Sequence, residues 1–200
     1  TYPYSYVLCF LMAFTFTFIS WIFLTLTREP AYPVHKEQSS LKDYFWRLPG
    51  VFRRDRNFTL FMLATILTSF SNMATAFYTV YAMDRLHLSD SDVALFTILL
   101  LGSRMAVSPI LGYFGDRMGY KLFLELGVAS AVFTTIIAAL AYSKLPFYLV
   151  FILMGFSISA EMVCQMSIVP DFCTPEERPI YLGLTSTLKA PFVAVTPILG

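Results

Sequence analysis

Three ionisable residues stand where a chain this apolar has little room for charge. Arg104, Glu161 and Lys189 each interrupt a long apolar stretch of a 200-residue sequence that is 57% apolar and only 14% charged. A charge at the centre of a membrane helix costs about 2.5–3.5 kcal/mol, so three unpaired ones would cost roughly 8–10 kcal/mol. They must pair, or serve a purpose that outweighs the cost. Glu161 is the one carboxylate of the three and therefore the candidate for carrying a proton. Two cations against one anion leave a positive surplus, which favours an anionic group on a substrate. Asn72, Ser108 and Gln165 are polar residues within these apolar stretches and complete a candidate cavity for substrate or proton. The competing use of the same charges is an ion-pair cluster that only holds helices together.

Other chemistry is missing from the sequence. It contains no HExxH, CxxC, glycine-rich phosphate loop or GxSxG motif. His35 and His87 fall in loops, and Cys9, Cys164 and Cys173 have neither metal-ligand spacing nor the number for a disulfide framework. No metal or cofactor is implied, and a membrane enzyme would lack catalytic groups. A net charge of +1 gives no basic excess for nucleic acid. Binding coupled to conformational change is the chemistry left. A receptor or scaffold that keeps the bundle without transporting is the alternative, although a pure scaffold would gain by losing its buried charges.

The elements that must position these residues follow from length. At 1.5 Å per residue, a hydrocarbon core of about 30 Å needs about 20 apolar residues. Six such spans are expected, over 4–26, 58–83, 93–115, 122–143, 147–169 and 180–200, in an all-α polytopic transmembrane helix bundle. Loops 28–57, 116–121 and 170–179 carry 7, 2 and 1 basic residues, against one each in 84–92 and 144–146. The positive-inside rule makes the first set cytoplasmic. From those ends, Arg104, Glu161 and Lys189 all lie about 13–16 Å deep, in one layer. Polar residues recur at helical steps in four spans. These are Thr65, Ser69, Asn72, Ala76 and Thr79; Thr97, Arg104, Ser108, Gly112 and Gly115; Ser157, Glu161 and Gln165; and Thr185, Lys189 and Thr196. Span 122–143 has no such stripe, and its Glu125 lies one turn from Lys121 near water, so it is expected at the periphery.

The loop 28–57 is long, with a net charge of +3. Leu41, Tyr44, Phe45 and Leu48 form an apolar face within it, which suggests a short helix on the inner membrane surface. The organisation expected is residues 1–27 as the last helix of an N-terminal half, 28–57 as a cytoplasmic linker, and 58–200 as five spans of a C-terminal half. The sequence opens on Thr1 and stops at Gly200 inside an apolar run, which reads as a piece of a longer membrane protein whose other half is absent here.

The tight loop after the third span reads Gly112-Tyr113-Phe114-Gly115-Asp116-Arg117-Met118-Gly119-Tyr120-Lys121. Six residues must reverse the chain between two helices. Gly119 adopts positive φ at no steric cost, and Gly112 with Gly115 offers a small face for close helix contact. Asp116 and Arg117 place opposite charges at the membrane edge, each able to meet a partner or a helix end. This segment resembles the signature loop of the major facilitator superfamily, G-x-x-x-D-R-x-G-R-[RK], with Gly112, Asp116, Arg117, Gly119 and Lys121 matching and Tyr120 in place of Arg. Thr27-Arg28-Glu29-Pro30 resembles the end of that family's sixth helix. Pro175-Glu176-Glu177-Arg178, followed by Gly183, resembles its loop between helices ten and eleven. The resemblance covers nearly the whole chain and is similar to uncharacterised bacterial members. It implies helices six to eleven of a twelve-helix bundle in a bacterial inner membrane. It also implies a small-molecule substrate moved by alternating access, with the proton as driving ion, and the lipid bilayer and the N-terminal half as partners.

Overall fold

The structure is a computed structural model that describes residues 4–28, 56–86, 88–174 and 178–199. The amphipathic segment 41–48, nearly all of the linker, and Pro175 and Glu176 lie outside the described residues, as do the side chains of Asn72 and Thr196. The chain divides into two units, Thr1–Trp46 and Arg47–Gly200.

The first unit contributes helix α1, Tyr4–Leu26. It has no charged residue, so nothing in its sequence stops a helix from running through a bilayer. The hydroxyls of Thr15, Thr25 and Thr27 donate to the carbonyls of Leu11, Ile22 and Phe23 within 3.1 Å. Polar side chains on an apolar helix are thereby satisfied within the segment. Phe14, Phe18 and Trp21 run along one side with successive ring centroids 5.9 Å apart.

The second unit is built from α2 (Arg56–Ser71), α3 (Thr75–Leu86), α4 (Asp90–Met118), α5 (Tyr120–Leu140), α6 (Lys144–Ile168) and α7 (Arg178–Leu199). Among the described residues the chain is all-α, with no strand. Four helices are long and apolar enough to cross a membrane: Val7–Leu26, Ser91–Met118, Tyr120–Leu140 and Lys144–Phe172. The two other expected spans differ from these. A turn of 3-10 helix at Asn72–Ala74 breaks the span expected at 58–83 into α2 and α3. The polar stripe Thr65, Ser69, Asn72, Ala76, Thr79 therefore does not run along one continuous helix. α7 has 22 residues, enough in length, but Lys189 and its threonines lower its apolar character.

α6 is the centre of the unit, packed against α5 on one side and α4 on the other. Small residues make both seams. A Cβ added at Gly155 would lie 2.7 Å from the carbonyl oxygen of Leu100 and 2.8 Å from Ser103 Cβ; one at Gly127 would lie 2.6 Å from Ala160 Cβ. Close approach brings hydroxyls within reach of facing carbonyls. Ser103 donates to Ile152 O and Ser130 to Leu153 O, both at 2.8 Å. Helix association in lipid relies on such packing and bonding, because lipid tails are as apolar as leucine. α5, the span expected at the periphery, packs one face against α6. Its Gly127, Ser130, Thr134 and Ala138 are buried. They are small rather than conspicuously polar, so a search for polar stripes passes over them.

Two aromatic clusters close the ends. Phe96 stacks on Phe151 at 4.5 Å, within a core that includes Tyr78, Phe147 and Ala138. Phe58 packs edge-on against Tyr181 at 4.9 Å and Phe172 at 5.6 Å, joining α2 to α7. At the first cluster's end, Asp92 ties two helix starts together. Its Oδ2 accepts from the Ser89 N–H at 3.0 Å and from Lys144 Nζ at 2.7 Å.

Candidate functional site

Glu161, Gln165 and Lys189 meet between α6 and α7. Glu161 and Gln165 are four residues apart on α6 and share a face. Gln165 Nε2 donates to Glu161 Oε1 at 3.2 Å, and Lys189 Nζ donates to the same oxygen. Lys189 Nζ also reaches Gln165 Oε1 at 3.4 Å. Both charged side chains are 17% exposed, so water screens the pair little. The ion pair offsets part of the desolvation cost of each charge, and the amide satisfies sites that the pair leaves open.

A cavity of about 420 Å³ adjoins this cluster, with Glu161 and Gln165 in its wall. α2 contributes Ala64, Thr65 and Thr68, and α5 contributes Leu124, Glu125, Val128 and Ala129. The threonine hydroxyls donate back to Phe61 O and Ala64 O, which leaves this wall largely apolar. Glu125, expected near water, is 62% exposed. It pairs with Lys121 at 3.7 Å while lining the cavity. Its i+4 spacing from Lys121 was readable, but that it also faces the α2–α6 groove depends on how α5 docks.

Arg104 and Ser108 belong to a different seam. The Ser108 hydroxyl donates to Arg104 O at 2.8 Å, and Ser159 on α6 approaches the same carbonyl at 3.4 Å. Among the described residues the Arg104 side chain has no ion pair. The structure therefore brings two of the three layer charges together and leaves the third apart. Gly155 and Ser159, four residues apart on α6, carry the contact with α4 and were not singled out; their small size at helical spacing was the available signal.

The loop between α4 and α5 turns at Gly119, whose φ of 87° and ψ of 139° lie in a region that residues with a Cβ rarely enter. Its N–H donates to Gly115 O at 2.9 Å, closing α4. The Tyr120 hydroxyl donates to Asp116 Oδ1, and the Arg117 guanidinium stacks over the Tyr113 ring at 4.3 Å. Tyr120 thus engages Asp116 at the position where the resembled motif has arginine. A Cβ at Gly115 would collide with the Tyr120 ring. Among the described residues, nothing lies within 4 Å of a Cβ placed at Gly112, so none of them makes the close helix contact expected there. Nothing lies within 4 Å of a Cβ at Gly119 either, so substitution there strains only the backbone. Gly119→Ala should lower stability by about 1–3 kcal/mol, read as a drop in unfolding temperature in detergent. An unchanged midpoint would mean the turn tolerates another conformation.

The family model of the Major Facilitator Superfamily matches residues 2–197. The chain belongs to the major facilitator superfamily. No curated protein and no solved structure matches it. A member of the superfamily is a multi-pass integral membrane protein of a transporter family, and the apolar helices described above agree with that.

Proposed function

We propose that this superfamily chain is part of a secondary transporter that moves a small solute by alternating access, driven by protons. It would sit in a bacterial plasma membrane and work with an N-terminal half of the same transporter. The observation that carries the reading is the Glu161–Lys189–Gln165 cluster against a cavity of about 420 Å³. Glu161 is the proton carrier. Protonation neutralises it, releases Lys189, and changes which arrangement of α6 and α7 is favoured. Arg104, unpaired among the described residues, is the cation for an anionic substrate group. Ser108, one turn from it on α4, joins it in the substrate site. The Asp116–Arg117 turn forms the cytoplasmic gate.

The test is reconstitution of the whole transporter in liposomes with a pH-sensitive dye inside. Anionic solutes that raise its thermal stability serve as candidate substrates. Wild type should move protons together with solute, and Glu161→Gln should bind solute without moving protons. Equal proton flux in the mutant removes Glu161 from the mechanism.

Orientation is tested separately. A cysteine at Ser91 should react with an impermeant thiol reagent in intact cells, whereas one at Ser40 should need permeabilisation. The reverse pattern would invert the topology.

A further inference from the structure

The break between α2 and α3 sits beside a small polar pocket. α2 ends at Ser71, a 3-10 turn covers Asn72–Ala74, and α3 starts at Thr75. The change of hydrogen-bond period disturbs the regular bonding of carbonyls at the end of α2. Beside the break lies a half-open pocket of about 20 Å³ whose wall includes Ser71, Thr75, Tyr78, Thr134 and Ser157. Two of these hydroxyls are engaged: Thr134 donates to Ser130 O at 2.8 Å, and Tyr78 shares a bond of 2.9 Å with Thr135. Those of Ser71, Thr75 and Ser157 have no hydrogen-bond partner among the described residues. A pocket this size holds one water, which needs two to four polar partners. The three hydroxyls, drawn from α2, α3 and α6, supply them.

Ser157 also lines a second pocket, of about 10 Å³, with Thr68 and Glu161. Thr68 and Glu161 in turn line the large cavity. Ser157 and Glu161 are one turn apart on α6. The three pockets therefore share walls in series, with Ser157 at the junction between the break and the carboxylate.

We propose that the helix break binds a water molecule, and that this water, through Ser157, brings protons to Glu161 from the α3 side of the bundle. The inference rests on the reading of Glu161 as proton carrier. In the transfer, a hydronium in the break gives a proton to Ser157 Oγ as the serine's own hydroxyl proton passes to the Glu161 carboxylate. Water and serine are left neutral and unchanged, and Glu161 becomes the acid. The groups facing Glu161 are Lys189 from α7, Gln165 on α6, and Glu125, paired with Lys121, from α5. α2 presents Ala64, Thr65 and Thr68 and no charge. Lys189 donates to Glu161 Oε1, so a proton delivered to that carboxylate takes the place of this contact.

The experiment uses the whole transporter in liposomes with its native cysteines replaced. Single cysteines are placed at Ser157 and Thr75, and at Ser130 as a control in the dry α5–α6 seam. Thiol reagents attack the thiolate, which forms where water reaches. Ser157→Cys and Thr75→Cys should react at least about tenfold faster than Ser130→Cys with a small methanethiosulfonate. Equal rates overturn the water site. Infrared spectroscopy then follows deuterium exchange of the Glu161 carboxyl band, assigned by its loss in Glu161→Gln. Ser157→Val should slow that exchange, and Ser157→Thr, which keeps the hydroxyl, should not. Unchanged exchange in Ser157→Val overturns the route through Ser157. If no Glu161 acid band appears at any pH, the proton-carrier reading fails and the route fails with it, while the cysteine rates still decide the water site.

Discussion

Lys189→Ala should be far more damaging to folded yield than the double change Glu161→Ala with Lys189→Ala. The single change leaves a carboxylate that is 17% exposed, with only the Gln165 amide and no cation. Breaking a buried pair by removing one partner costs about 3–5 kcal/mol, whereas removing both leaves no uncompensated charge. Glu161→Ala alone should behave like Lys189→Ala, since it strands the ammonium. Yields are read by size-exclusion chromatography from detergent, with all variants expressed side by side. Transport should fail in all three, so stability and activity separate in the double mutant. Full transport by the double mutant would make the pair structural and move the proton site elsewhere. Equal yields for all three would mean that the pair is not formed in the membrane.

Gly155→Val should be the most disruptive single substitution in the α4–α6 seam. Its Cβ would meet the backbone oxygen of Leu100 at 2.7 Å, and backbone cannot rotate aside as a side chain can. The helices must separate, which breaks the Ser103–Ile152 hydrogen bond and loosens the Phe96–Phe151 stack nearby. Overpacking a tight core costs about 1–3 kcal/mol before such losses are added. The drop in thermal midpoint should exceed that of Gly102→Val, where a Cβ would meet nothing within 4 Å. Similar drops for both would mean that helix propensity, not contact, sets the cost.

Much of this was written in local chemistry. Apolar runs of about 20 residues with at most one charge specify helices that lipid can surround, and α1, α4, α5 and α6 lie close to the expected spans. The turn at Gly119 was legible because reversing the chain in a few residues needs a φ that glycine adopts freely. Ser157, Glu161 and Gln165 share a face by arithmetic alone.

Other features depend on how the helices dock. Nothing local distinguishes Asn72–Ala74 from a continuing helix, since Asn, Met and Ala all tolerate one and no proline or glycine marks the break. Consecutive spans and nearly equal depth favour Lys189 as the partner of Glu161, but they do not by themselves exclude Arg104. Depth along a span follows from residue count, but the azimuth at which two helices face each other does not. That angle is set by which small residues let backbones close. Gly155 and Gly127 bring α4 and α5 onto α6, and Glu161 is left facing α7 and the cavity. The sequence by itself determined the helices α1, α4, α5 and α6, the polar face of α6 and the turn, because these depend on neighbours within a few residues. Tertiary structure alone decided the partners, because steric fit between distant segments selects one rotation of each helix among several that the apolar pattern allows.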